Sequence, residues 1–193
     1  MKSIAVFCGS STGSDPVYEA EALLLGQALA ANRIELVYGG AKAGLMGAVA
    51  SGALDAGGRV LGVLPRFLQA KEVAHESLTE LILVEDMHER KKIMHDRCDG
   101  VIALPGGFGT MEEFFEVLTW GQLGLHRKPV GLLNTAGFYD SLINFFQHMV
   151  QKGFVREINR DMVLVSDDVH GLLDRMTRYT APVVGKWISK DEV

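Results

Sequence analysis

Val101-Ile102-Ala103-Leu104-Pro105-Gly106-Gly107-Phe108-Gly109-Thr110-Met111-Glu112-Glu113 is the stretch that decides the fold. Its first four residues form a continuous apolar run closed by proline and glycine, as a strand buried on both faces requires. Beyond Thr110 the spacing is helical to about residue 123. Strand, tight glycine turn and helix, in that order, make the repeating unit of a parallel sheet. Glycines at 106, 107 and 109 leave backbone N–H groups uncovered and allow positive φ. Thr110 adds a hydroxyl where the first N–H groups of the helix are free. Unpaired donors and the positive helix end would then point together at an anion.

The same unit recurs outward in both directions. Short apolar runs at 4–7, 34–38, 59–64, 81–84, 130–133 and 162–165 predict six further strands. Asp15-Pro16 places an N-cap and a first-turn proline before a helical stretch over 16–31. Further helices are expected over 44–56, closed by Gly57-Gly58, over 86–98, and after each of the last two strands. Residues 65–80 are less regular and contain Glu72. This alternation predicts an α/β fold: a single-domain, doubly wound, Rossmann-like and mostly parallel sheet with helices on both faces. It is expected over residues 1–180, with 181–193 as a C-terminal tail.

Composition narrows the function classes. The 24 acidic residues exceed the 19 Lys and Arg among 193 residues, so the formal net charge of -5 gives no general attraction to nucleic acid or anionic membrane. The apolar opening after Met1 is too short for a signal peptide, and no stretch reaches the length of a membrane span. Cys8 and Cys98 stand apart with no metal spacing. They read as small buried hydrophobes in a reduced, cytoplasmic setting. The six histidines, His75, His88, His95, His126, His148 and His170, are scattered, and no metal site is expected.

In open α/β sheets, ligands sit outside the carboxyl ends of the strands. Three turns of suitable chemistry fall there: Gly9-Ser10-Ser11, Gly39-Gly40 and the 105–110 loop. The first lacks a dinucleotide fingerprint, the second strand ends without an acid, and no Gly-Lys-Ser/Thr follows any turn. A mononucleotide or sugar phosphate remains. On the helix over 86–98, Arg90 shares a stripe with Met87, Met94 and Cys98. An arginine so placed needs an acid partner, a route to water or a bound anion. Glu113 falls between Val117 and Trp120 around its helix, so it is either paired or functional, whereas Glu112 and Glu116 read equally well as solvated or capping acids.

Residues 105–113 resemble the PGGxGTxxE signature of the "Lonely Guy" cytokinin-activating family, and Met87-His88-Glu89-Arg90-Lys91 resembles its arginine–lysine motif. Cys8-Gly9-Ser10-Ser11, Tyr38-Gly39-Gly40, Gly44-Leu45-Met46-Gly47 and Thr119-Trp120 also fall where that family has them. The resemblance implies a phosphoribohydrolase that cuts N6-substituted adenosine 5′-monophosphates, and often AMP, to free base and ribose 5-phosphate without a cofactor. It implies catalytic roles for Arg90 and Glu113. Substrate contacts would fall on Glu72, Lys91, Gly106, Gly107, Phe108, Gly109, Thr110, Met111, Glu112 and Thr119, together with the turns at Ser10, Gly39 and Gly40. It further implies a homodimer or larger assembly with the site near a subunit interface. Ala41 and Phe108 depart from the glycine and tyrosine that many members carry. Two other readings compete: a nucleotide-binding module without chemistry, and a pyridoxal-phosphate lysine decarboxylase, which would need a Schiff-base lysine.

Overall fold

The computed structural model describes residues 1–69 and 77–182. Glu72, His75 and all but the first two residues of the expected tail therefore lie outside the described residues.

The strands are β1 (Ser3–Phe7), β2 (Glu35–Tyr38), β3 (Val60–Pro65), β4 (Glu80–Val84), β5 (Gly100–Ala103), β6 (Val130–Leu133) and β7 (Val163–Ser166). They form one sheet in the order β4-β3-β2-β1-β5-β6-β7. Every pairing is parallel, so the sheet is uniform rather than mostly parallel. Winding runs outward from β1 to β4, returns to β5 beside β1, and then runs outward the other way. The reversal sits between β1 and β5, the crevice at which such sheets bind ligands.

The helices are α1 (Pro16–Ala31), α2 (Gly44–Asp55), α3 (Arg66–Gln69), α4 (Met87–Asp96), α5 (Phe108–Gln122), α6 (Asp140–Gln151), α7 (Glu157–Arg160) and α8 (Val169–Arg178). Successive strand residues face opposite sides, and both sides are covered. Ile4, Val6, Leu36, Ile102 and Leu104 pack with Leu25 and Leu29 of α1, Val49 of α2 and Leu172 of α8. Ala5, Phe7, Val37, Val101 and Ala103 pack with Met94 of α4, Phe114 and Val117 of α5 and Phe146 of α6. Burial on both faces is why the strands read as continuous apolar runs. Each large side chain removed from water contributes about 1.5–3 kcal/mol.

Three helices open with an aspartate cap. Asp15 accepts from Val17 N at 3.0 Å, Asp86 from His88 N and Glu89 N at 2.8 and 2.9 Å, and Asp168 from Gly171 N at 2.8 Å. α2 and α5 have Ala43 and Gly107 at that position and no capping side chain. Beyond β6, Asn134 fastens the turn: its Nδ2 donates to Asp140 Oδ1 at 2.9 Å, and its Oδ1 accepts from Tyr139 N at 2.7 Å.

Candidate active site

The β1–β5 register pairs Phe7 with Ala103, so the two strands deliver their following loops to the same level. Leu104 N donates to Phe7 O at 2.9 Å, Gly9 N to Pro105 O at 3.0 Å and Leu45 N to Gly9 O at 3.1 Å. The turn after β1, the glycine loop after β5 and the start of α2 are thereby stitched into one plate.

Within that loop the glycines have different reasons to be glycine. A Cβ on Gly106 would lie 2.1 Å from Thr110 Oγ1 and 2.9 Å from Gly9 N, so packing excludes a side chain there. Gly107 and Gly109 have no neighbour that a Cβ would meet. None of the three uses the positive φ that glycine allows. Gly107 and Gly109 thus meet neither a steric nor a conformational demand of the chain itself. What they provide is bare backbone at the start of α5, where the first intrahelical bond is Met111 N to Gly107 O and the N–H groups of 108–110 precede it.

The other expected loop contacts divide. Phe108 is 96% exposed beside this N-terminus. Thr110 is turned inward onto Gly106, and Met111 packs into the core beside α5, so neither side chain faces outward as a ligand contact would. What Thr110 offers is its N–H. Ser10 is exposed and, with Gly9, Ser11, Tyr18, Leu45 and Phe138, lines a cavity of about 280 Å³ that also reaches Gly106 and Gly107. Thr119 is not brought to this edge: its hydroxyl donates to Phe115 O at 2.7 Å, and it lines a separate groove with Phe146 and Met149.

Arg90 and Glu113 stand on the α4–α5 side of the plate, outside that cavity. The Asp86 cap fixes where α4 begins, and the fourth helical residue is then Arg90. Arg90 is 8% exposed. Its Nη1 lies 3.7 Å from Met87 Sδ, and its guanidinium covers the bare α-carbon of Gly39, where a Cβ would be 2.0 Å from Nη2. Among the described residues no carboxylate comes within ion-pair distance of Arg90, and its Nε has no partner. Among the described residues, then, Arg90 has no structural ion pair, and its burial argues against a side chain snorkelling to water. Gly40, with φ +81°, turns the chain directly after this contact.

Glu113 is half-buried, and burial pushes its carboxyl up to about 7. Arg90 and Lys91 oppose the rise, while Glu112 and Glu116 add to it. Burial, reinforced by Glu113, also raises the Cys8 thiol, making it a poor nucleophile. Cys8 and Cys98 are both free, as their spacing implied. The Tyr38 hydroxyl, fully buried at the end of β2, has no partner.

Lys91 and Glu112, expected as substrate contacts, bind each other. Lys91 Nζ lies 2.6 Å from Glu112 Oε1 and 3.0 Å from Glu116 Oε1. Burial alone would lower the Lys91 ammonium, but the two carboxylates raise it above its ordinary value. This bridge was not read from sequence. The signal lay in the spacing of Glu112 and Glu116, four apart and so on one face of the helix. No group of three or more His, Cys, Asp or Glu that could hold a metal occurs among the described residues. No described helix is long and apolar enough to cross a membrane.

Comparison with known proteins agrees with this architecture. Residues 46–176 match a protein family described as "Possible lysine decarboxylase". The chain is 49% identical over 173 residues to the cytokinin riboside 5′-monophosphate phosphoribohydrolase of Rhodococcoides fascians, covering 89% of this chain and 87% of that protein. It is 46% identical over 178 residues to the cytokinin riboside 5′-monophosphate phosphoribohydrolase LOG7 of Arabidopsis thaliana, covering 92% and 82%. Among solved structures, the molybdenum cofactor carrier protein of Chlamydomonas reinhardtii superposes with a TM-score of 0.70 at 24% identity, over 91% of this chain and 96% of that one. That last likeness is one of fold. The identities to the first two extend over nearly the whole chain, and the chain belongs to the family of the cytokinin riboside 5′-monophosphate phosphoribohydrolases.

Proposed function

We propose that the protein hydrolyses the N-glycosidic bond of adenosine 5′-monophosphates, N6-substituted or plain, releasing the free base and ribose 5-phosphate. The observation that carries this reading is a buried arginine, without a carboxylate partner among the described residues, beside a half-buried carboxyl at about 7, both next to an uncapped helix N-terminus. The N–H groups at the start of α5 hold the phosphate, whose charge the helix end favours. That binding energy, remote from the bond being broken, is available to position the sugar.

Water adds to the ribose C1′ as the bond from C1′ to the base nitrogen breaks, and the water's two protons end on the new hydroxyl and on the base. Positive charge develops on the sugar as the base leaves. An ionised Glu113 stabilises that charge and orients the water or accepts its proton. Arg90 brings a positive charge to the same edge. It draws Glu113 toward the ionised form and offers its unpartnered Nε–H to the nucleotide. Because Glu113 must be ionised, kcat/KM rises with pH up to about 7 and then levels.

The decarboxylase reading finds no support at this edge. Lys91, the one buried lysine among the described residues, is held as an ammonium between two carboxylates, whereas a Schiff-base lysine must reach its neutral form easily. We further take the protein to be a cytoplasmic homodimer. The unpaired cysteines fit a reducing compartment. The exposed Phe145, Phe154 and Ile158 leave apolar surface on and beside α6 and α7 for a second copy.

The test is incubation of the purified protein with AMP and with N6-isopentenyl-AMP, following base and ribose 5-phosphate, beside Glu113→Gln. Release that the variant abolishes is the expected result. Tight binding without release would make the protein a nucleotide-binding module instead.

A further inference from the structure

The Lys91 bridge belongs to the same seam as the proposed catalytic pair. Arg90 and Lys91 are consecutive on α4, and Glu112 and Glu113 are consecutive on α5. The backbone of α4 lies chiefly against β3 and β4, and that of α5 approaches β1. Main-chain approach between α4 and α5 is slight, so side chains do much to fix their relation. Lys91 supplies the polar link, beside the edge contact of His95 on α4 with Trp120 on α5: its side chain is 9% exposed, and its ammonium spans to Glu112 at 2.6 Å and Glu116 at 3.0 Å. Charge-assisted hydrogen bonds from a nearly buried ammonium are far stronger than an exposed surface pair. Swinging Lys91 out to a nucleotide would break both ion pairs and leave two carboxylates, four apart on one helix, to repel each other.

We propose that Lys91 is a positioning residue, whose clamp on Glu112 and Glu116 fixes α4 against α5 and thereby sets Arg90 relative to Glu113, instead of contacting the nucleotide. The proposal rests on the hydrolase reading for its consequence in catalysis, and on geometry alone for the clamp. The clamp also governs the charge around Glu113. Among the described residues, the groups facing that carboxyl are Arg90 and Lys91 from α4, Glu112 and Glu116 from its own helix, and the Cys8 thiol just beyond β1. Removing the Lys91 charge leaves two like charges to oppose ionisation of Glu113. Removing Glu116 does the reverse, with Glu112 still holding Lys91.

The experiment is a carboxyl-carbon NMR titration of Glu113 in the free protein, wild type beside Lys91→Met and Glu116→Gln, with kcat and KM for AMP on the same samples. Lys91→Met moves the Glu113 midpoint upward from about 7, and Glu116→Gln moves it downward. Lys91→Met lowers kcat by about tenfold or more while KM stays within about threefold. A KM raised about tenfold or more, with kcat and the midpoint unchanged, would make Lys91 a nucleotide contact and overturn the proposal. If the wild type itself releases no base, the hydrolase reading fails separately. The midpoints need no substrate, and an unmoved midpoint in Lys91→Met then overturns the clamp as well.

Discussion

Gly39→Ala separates the placement of Arg90 from the stability of the fold. Gly39 follows β2 with a φ outside the left-handed region, so alanine fits its backbone without strain. The new methyl carbon would lie 2.0 Å from Arg90 Nη2 and 3.0 Å from Met46 Sδ. Ordinary contact begins near 3.4 Å, so the guanidinium must retreat by about 1.4 Å. Both obstructing atoms are near the ends of flexible side chains. An off-rotamer adjustment costs about 0.5–1.5 kcal/mol, and the loss of glycine's freedom in the unfolded chain returns about 0.4–1 kcal/mol. The net change in stability is then within about 1 kcal/mol. Catalysis has no such tolerance, because a misplacement of about 1 Å costs about 100-fold. The assay is kcat/KM for base release from AMP beside urea denaturation of the same samples. Activity within about threefold of wild type would show that the position of Arg90 over Gly39 has no part in the reaction.

Gly109→Ala should raise KM for AMP about tenfold while stabilising the protein by up to about 1 kcal/mol, since its Cβ meets no atom of the chain and alanine is the better helix former. An unchanged KM in steady-state kinetics would remove the ligand from the account of that glycine. Glu113→Gln should lose about 100-fold or more in turnover yet gain stability with rising pH. The folded pKa of Glu113 is raised above its ordinary 4.5, so its contribution to stability is fully present below about 4.5 and lost as pH rises through about 7. Denaturation of wild type and variant at about pH 4 and pH 8 should therefore diverge by up to about 3 kcal/mol, and equal profiles would contradict the raised value. Asn134→Ala should cost about 2 kcal/mol in urea denaturation, because Tyr139 N loses its buried acceptor. A loss below about 0.5 kcal/mol would mean that the turn holds without it.

Much of the architecture was legible because burial on both faces leaves a clear sign: continuous apolar runs such as 101–104, which Pro105 stops. α3 and α7 were not legible, since four residues are too few to show helical periodicity. Helix α5 begins at Phe108, three residues earlier than the 111–123 span read from sequence, because Gly107 already occupies the capping position. At the site, the inward stripe on α4 correctly isolated Arg90. Whether it was paired, snorkelling or unpaired could not be read from one helix, because the answer depends on what lies opposite. The resemblance places Lys91 and Glu112 at the substrate; their bond to each other depends on how α4 lies against α5, which neither motif encodes. Thr119 is a similar case: six residues beyond Glu113 on α5, its hydroxyl turns back to its own helix.

The unequal capping of the helices ties the lifetime of the protein to its metabolic surroundings. α1, α4 and α8 carry their own anions in Asp15, Asp86 and Asp168, whereas α5 opens bare on Gly107. An anion that docks there completes a helix the sequence left unfinished, and its binding energy is added to the free energy of unfolding. At about 100 times the dissociation constant that addition is about 2.7 kcal/mol, close to a hundredfold drop in the unfolded population. Cellular proteases and chaperones act on that population. If the phosphate of the proposed substrate docks at α5, molecules engaged with substrate present less unfolded chain to degradation than free ones.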